Sequence, residues 1–223
     1  MVTAFVIAVG NSNEITYKED SKAVLKDYFD YHKINSFFLE VPTFHGCKIN
    51  VKGAHPSWVK LISHKFYPTD DFILCWDLDL LPINREKNIL DVLDLNKLNM
   101  CFDSSVLMNG YKFTPNFKYN GGLCGIPVRY REFMEGVYNK YAPGQWPSFE
   151  QYYLNDEIAI QNIEVNELDS IWNSNLPAPG FTTEYFDKAF NKHYTWGVDH
   201  SQKIVKIKQH RENYFSTIAP AGK

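Results

Sequence analysis

Short unbroken apolar runs, each closed by turn-forming residues, set the rhythm of this chain. Residues 4–9 are continuously apolar and give way to Gly10, Asn11, Ser12 and Asn13. A run of that kind predicts a strand buried on both faces. Residues 19–32 place Ala23, Val24, Tyr28, Phe29 and Tyr31 close to helical spacing, and residues 36–41 form a second strand-like run stopped by Pro42. This β-α-β opening predicts a right-handed crossover and a parallel sheet. Residues 56–66 predict a helix with Trp58, Val59, Ile62 and Phe66 on one face. Further along, the pattern predicts a short helix or turn set over 88–98 and a strand over 100–107. Helices are predicted over 128–141 and 151–162, with a Pro/Gly loop at 142–149 between them and a loop-rich stretch at 173–184. Residues 203–208 alternate Ile204, Lys206 and Lys208 with Val205 and Ile207, which predicts a half-buried last strand with His210 just past its end.

The run at 72–82, Phe-Ile-Leu-Cys-Trp-Asp-Leu-Asp-Leu-Leu-Pro, changes the picture from fold to chemistry. Five apolar residues lead directly into Asp77, Leu78 and Asp79. Ligands of open α/β sheets bind beyond the carboxyl ends of strands. Residues i and i+2 of an extended chain point the same way, so Asp77 and Asp79 converge. Two adjacent carboxylates repel, and a divalent cation removes that cost. Hard oxygen ligands suit Mg²⁺ or Mn²⁺. An isolated Asp-X-Asp is often only a solvated turn; the buried strand before this one favours the metal. Trp76 points away from Asp77, into the core. In Asn120-Gly121-Gly122, the paired glycines read either as a simple β-turn or as a backbone that lets a ligand approach closely.

Composition narrows the class. The 223 residues are 44% apolar and 16% aromatic, enough for one large α/β domain. A net charge of −3 leaves no general nucleic-acid footprint. Cys47, Cys75, Cys101 and Cys124 are scattered without CxxC spacing, which argues against a zinc site or disulfide framework and suits a reducing compartment. No run approaches the length of a membrane span. The expectation is one domain over residues 1–217, with a mainly parallel central sheet flanked by helices. Residues 218–223 read as a linker-like tail to further domains of a longer chain. The expected location is cytoplasmic.

Four landmarks, taken in order, resemble a known family. The apolar strand into Asp77-Leu78-Asp79 resembles the DxD motif of GT-A fold nucleotide-sugar glycosyltransferases, the glycogenin and bacterial galactosyltransferase group. Asn120-Gly121-Gly122 is similar to the family's Asn-Ser-Gly segment. Asn155-Asp156-Glu157-Ile158, with Leu168, Trp172 and Asn173 after it, is similar to its Asp-Gln and Leu…Trp-Asn segments. His210 is similar to its histidine after the final strand, although the Gly and Lys expected behind it are missing. The chain is also similar to the first domain of multi-domain glycosyltransferases from chlorella-infecting viruses, which would place it in host cytoplasm.

The resemblance implies a metal-dependent glycosyltransferase moving a hexose or deoxyhexose from a UDP-sugar to a glycan or other hydroxyl acceptor. It implies Asp79 and Asp77 as metal ligands, with Asp77 also within reach of the ribose. His210 is the expected third ligand, with His193 and His200 as rivals, and an imidazole ligand tilts the metal from Mg²⁺ to Mn²⁺. Val9, Gly10 and Asn11 are expected at the base and ribose. Lys60 reads as a phosphate partner or as a solvated helix face. Asn120, Gly121 and Gly122 are expected against the sugar. Asp156 is the expected general base of an inverting reaction, with Glu157 and Glu150 behind it; in a retaining reaction they would stabilise an oxocarbenium-like centre. Two alternatives stand beside this one. A haloacid-dehalogenase-type phosphatase also runs an apolar strand into Asp-X-Asp, and a non-catalytic nucleotide-sugar-binding module would keep the same acidic pair.

Overall fold

The computed structural model describes residues 2–8, 17–40, 43–44, 47–48, 56–104, 118–141, 150–176, 184–194 and 199–218. Strand β1 (Val2–Ile7) leads through helix α1 (Lys18–Tyr31) to β2 (Asn35–Leu39), as the opening pattern predicts. A small hairpin follows, β3 (Thr43–Phe44) with β4 (Cys47–Lys48), then a 3₁₀ helix over Pro56–Lys65 and strand β5 (Phe72–Asp77). Beyond it come β6 (Leu80–Pro82), β7 (Leu98–Phe102), β8 (Tyr119–Pro127), α2 (Arg131–Tyr141) and α3 (Glu150–Ile160). The chain continues through β9 (Val165–Leu168), β10 (Ser174–Asn175), α4 (Glu184–Asp187), β11 (Asn191–His193) and α5 (His200–Ile218). Asn162, at φ 50°, takes the left-handed conformation that ends α3. Among the described residues no helix is long and apolar enough to cross a membrane.

The main sheet has strand order β2-β1-β5-β8-β7-β9. β1 runs parallel to β2 and β5, and β7 parallel to β9, while β8 is antiparallel to both its neighbours. Alternation along the strands fills a core on each face. Ala4, Val6, Leu74 and Trp76 pack with Val24, Leu25, Tyr28 and Phe29 of α1 and with Ile207 and Tyr214 of α5. Phe5, Ile73 and Cys75 face the other way, onto Trp58, Val59, Leu61 and Ile62 of the 3₁₀ helix, Met134 and Val137 of α2, and Leu154 and Ile158 of α3. Each fully buried large side chain contributes about 1.5–3 kcal/mol.

Two elements differ from the expected ones. Residues 119–127 are not a turn: they form a nine-residue strand in the middle of the sheet, buried throughout. Residues 203–208 are not a strand but part of α5. The buried positions of α5 are Ile207, His210 and Tyr214, with half-buried Lys203 on the same face, a helical spacing that six residues are too few to reveal.

A second, three-stranded sheet, in the order β10-β11-β6, stands at the carboxyl end of β5. β11 runs antiparallel to β6 and sets His193 opposite Leu80, and the Tyr194 amide donates to the carbonyl of Asp79 at 2.9 Å. Short as it is, this pairing brings residue 193 beside the acidic turn.

Candidate functional site

β5 ends at Asp77, and Leu78 and Asp79 make the turn into β6. The Trp76 indole, buried on the opposite face, donates from Nε1 to the Leu80 carbonyl at 2.6 Å and so braces that turn. Asp77, Asp79 and His193 each offer a ligand atom, and the three atoms lie within 4.8 Å of one another. His193 Nε2 stands 3.3 Å from Asp79 Oδ1 and 3.7 Å from Asp77 Oδ2. The imidazole is 3% exposed, and among the described residues neither nitrogen has a partner in hydrogen-bond geometry, Nε2 having only the two carboxylates beside it. Orphaned buried polar atoms are rare and call for an explanation. A divalent cation between two carboxylate oxygens and Nε2 would supply one for Nε2, and the mixed oxygen and nitrogen donors fit Mn²⁺ better than Mg²⁺.

Two lysines balance the acids. Lys60 Nζ lies 2.6 Å from Asp77 Oδ1 and 3.2 Å from Glu150 Oε1, and donates to the Gly121 carbonyl at 2.7 Å. Burial disfavours its charge, but Asp77 and Glu150 outweigh burial and hold the ammonium protonated. Three protein oxygens lie within reach of its Nζ, so Lys60 is not a solvated side chain but a buried clamp. Lys203 of α5 reaches Asp79 Oδ2 at 2.5 Å. Burial alone would raise the Asp79 pKa, but Lys203 and His193 hold the carboxyl well below the usual range.

The glycines of β8 are required by the protein's own packing. A Cβ on Gly121 would stand 2.8 Å from Glu150 Oε1, and one on Gly122 would stand 2.4 Å from His193 Cε1. The Gly121 amide donates to Gln151 Oε1 at 2.9 Å. Asn120 Oδ1 accepts from the Gly122 amide at 2.8 Å and from Asn173 Nδ2 at 2.9 Å. Behind them lies Asp103, 3% exposed. Its oxygens accept from Asn175 Nδ2 at 2.9 Å and from the amides of Asn120 and Gln151 at 3.3 Å each. The 3₁₀ helix, β5, β8 and α3 thus place Lys60, Asp77, Gly121, Glu150 and Gln151 in one connected network.

Several expected residues lie elsewhere. His210 sits inside α5, 7% exposed, with Nε2 2.8 Å from the Pro82 carbonyl and Nδ1 2.9 Å from the Tyr194 hydroxyl. Both nitrogens are used and it is outside the Asp77–Asp79–His193 group; its rival His193 takes that place. Burial pushes the pKa of His210 down to about 4, so it is neutral near pH 7. Glu157 faces α2 instead of the network. Its Oε1 accepts from Lys140 and Tyr141, each at 2.6 Å, and its Oε2 from Gln161 at 2.7 Å. These bonds lower its pKa to about 2. Asp156 immediately precedes it on α3, while Glu150 and Gln151, one to two turns earlier, are the ones that meet Gly121. Val9, Gly10 and Asn11 lie outside the described residues, as does the side chain of His200. Sequence reasoning passed over Asp103 and Gln151. Asp103 follows the apolar residues Met100, Cys101 and Phe102 much as Asp77 follows 72–76, and that signal was available.

No protein-family model matches the sequence, nor does any curated protein sequence. Solved structures do match in fold. A glycosyltransferase involved in glycosylation of the major capsid of PBCV-1 superposes with a TM-score of 0.66 at 15% identity, over 93% of this chain and 99% of that one. The galactosyltransferase LgtC, solved with donor and acceptor sugar analogues, gives 0.58 at 13% identity, over 99% and 98%. GlyE, a glycosyltransferase of Streptococcus pneumoniae TIGR4, gives 0.52 at 13% identity, over 100% of this chain and 66% of that one. The architecture is that of GT-A glycosyltransferases, as the resemblance implied.

Proposed function

We propose that this chain is a metal-dependent glycosyltransferase that moves a hexose or deoxyhexose from a UDP-sugar to a hydroxyl group of a glycan. The observation that carries the reading is the Asp77–Asp79–His193 group at the carboxyl end of β5, with the buried imidazole Nε2 aimed at both carboxylates, in a chain of GT-A architecture. Asp77, Asp79 and His193 would hold Mn²⁺. Bound there, the cation would stabilise the charge that develops on the leaving diphosphate. Lys60 keeps Asp77 in place and carries a fixed positive charge next to it. Gln151 and, behind it, the buried Asp103 hold the Asn120–Gly122 segment of β8 in place beside the acidic turn. UDP as the nucleotide rests on the resemblance of the motifs. The structural likenesses give the phosphatase alternative no support.

The test is turnover of a panel of UDP-hexoses and UDP-deoxyhexoses in Mn²⁺, read as release of UDP with and without glycan acceptors. Release that needs Mn²⁺ and rises with an acceptor supports the reading. Phosphate release from a simple phosphomonoester, with no UDP released from any donor, contradicts it.

A further inference from the structure

The two ammonium groups at the acidic turn are not equivalent. Lys60 is locked: its side chain is 4% exposed and it is directed at Asp77, Glu150 and the Gly121 carbonyl. Lys203 is the less buried of the two. Its side chain is 17% exposed, and its ammonium meets Asp79 Oδ2 and the Tyr17 side chain, 4.9 Å from the centroid of that ring. Helix α5 itself is anchored. Asp199 Oδ1 accepts from the Gln202 amide at 2.9 Å, and Ile207, His210 and Tyr214 are buried below. Movement is therefore left to the four-carbon stem of Lys203, which is flexible where a guanidinium fork would not be.

Charge at the turn gives this difference a consequence. Asp77, Asp79 and Glu150 face Lys60 and Lys203, so with His193 neutral, as a metal ligand has to be, three carboxylates exceed two ammonium groups by one charge. A divalent cation at Asp77 Oδ2, Asp79 Oδ1 and His193 Nε2 would reverse that sign. It would also meet the ammonium of Lys203 across a single carboxylate, at close range and in a partly desolvated site, where like charges repel strongly.

We propose that Lys203 is the releasable counter-ion of Asp79: it neutralises the carboxylate in the free protein, opposes the divalent cation, and turns away from Asp79 when the cation binds. Metal affinity in the absence of nucleotide is thereby held down, and the lysine, not the three ligands, sets its level. The inference rests on the metal site proposed above.

The test is calorimetric titration of Mn²⁺ alone into the parent protein and into Lys203→Met, with Lys203→Gln as a second neutral variant. Removing the ammonium is expected to tighten Mn²⁺ binding by about ten-fold or more, since a competing partner and a repelling charge disappear together. The rise in melting temperature on adding saturating Mn²⁺ is expected to be larger in the variants than in the parent, which reads the same effect in any variant that folds less stably. Unchanged or weaker Mn²⁺ binding by both variants would overturn the inference and make Lys203 a residue that positions Asp79. If no protein binds Mn²⁺ alone but the parent binds UDP in Mn²⁺, the inference falls and the proposed function stands. If UDP is not bound either, both fall.

Discussion

The imidazole of His193 packs against the α-carbon of Gly122 so closely that a methyl group there would lie 2.4 Å from Cε1 and 2.8 Å from Nδ1. The glycine thus sets the position of the histidine, and β11, paired with β6, sets its height above the acidic turn. Gly122→Ala is expected to displace the ring and weaken Mn²⁺ binding by about ten-fold or more, the usual cost of disturbing a ligand's support. Gly136→Ala is the control. Gly136 is exposed on α2, where an added Cβ would meet no described atom outside the helix's own backbone within 4 Å, and the substitution is expected to stabilise the helix by about 0.5–1 kcal/mol without touching metal affinity. Calorimetry and urea unfolding on the two variants check both statements.

Lys60 binds two carboxylates, and one of them, Glu150, has a side chain only 4% exposed. Removing the cation leaves a buried charge uncompensated, which costs about 3–5 kcal/mol. Lys60→Met is expected to lower unfolding free energy by that order in urea at pH 7. A loss under about 1 kcal/mol would show that the clamp is not structural.

His210 makes stability depend on pH. Its folded pKa of about 4 lies below the ordinary value of 6.5, so the unfolded chain binds the extra proton first. The contribution is complete above pH 6.5, is lost progressively as pH falls toward 4, and changes no further below that. The full loss is of order 3 kcal/mol. His210→Gln is expected to flatten the stability profile between pH 6.5 and 4 relative to the parent. Equal slopes in the two proteins would contradict the buried neutral histidine.

The acidic turn was legible because a strand buried on both faces advertises its end, and Asp77 and Asp79 occupy that end. The histidine beside them was not. His193 arrives on a three-residue strand with no periodicity to announce it, whereas His210 followed an alternation that belongs to one face of a helix. Gly121 and Gly122 looked like a turn since glycine weakens strands. Their role depends on Glu150 and His193, distant in sequence, which no local pattern contains. Lys60 looked solvated because a lysine on a helix normally is. The 3₁₀ helix is buried from Trp58 to His64, on every side, so no polar face exists for it to mark. What periodicity reports is local; what closes this site is contact across the sheet.

The central claim is that a divalent cation on Asp77, Asp79 and His193 carries nucleotide binding. Its most direct test is calorimetric titration of UDP into the protein in Mn²⁺ and again in EDTA. Binding in Mn²⁺ that disappears in EDTA is expected. Equal affinity in both, or no binding in either, would contradict it.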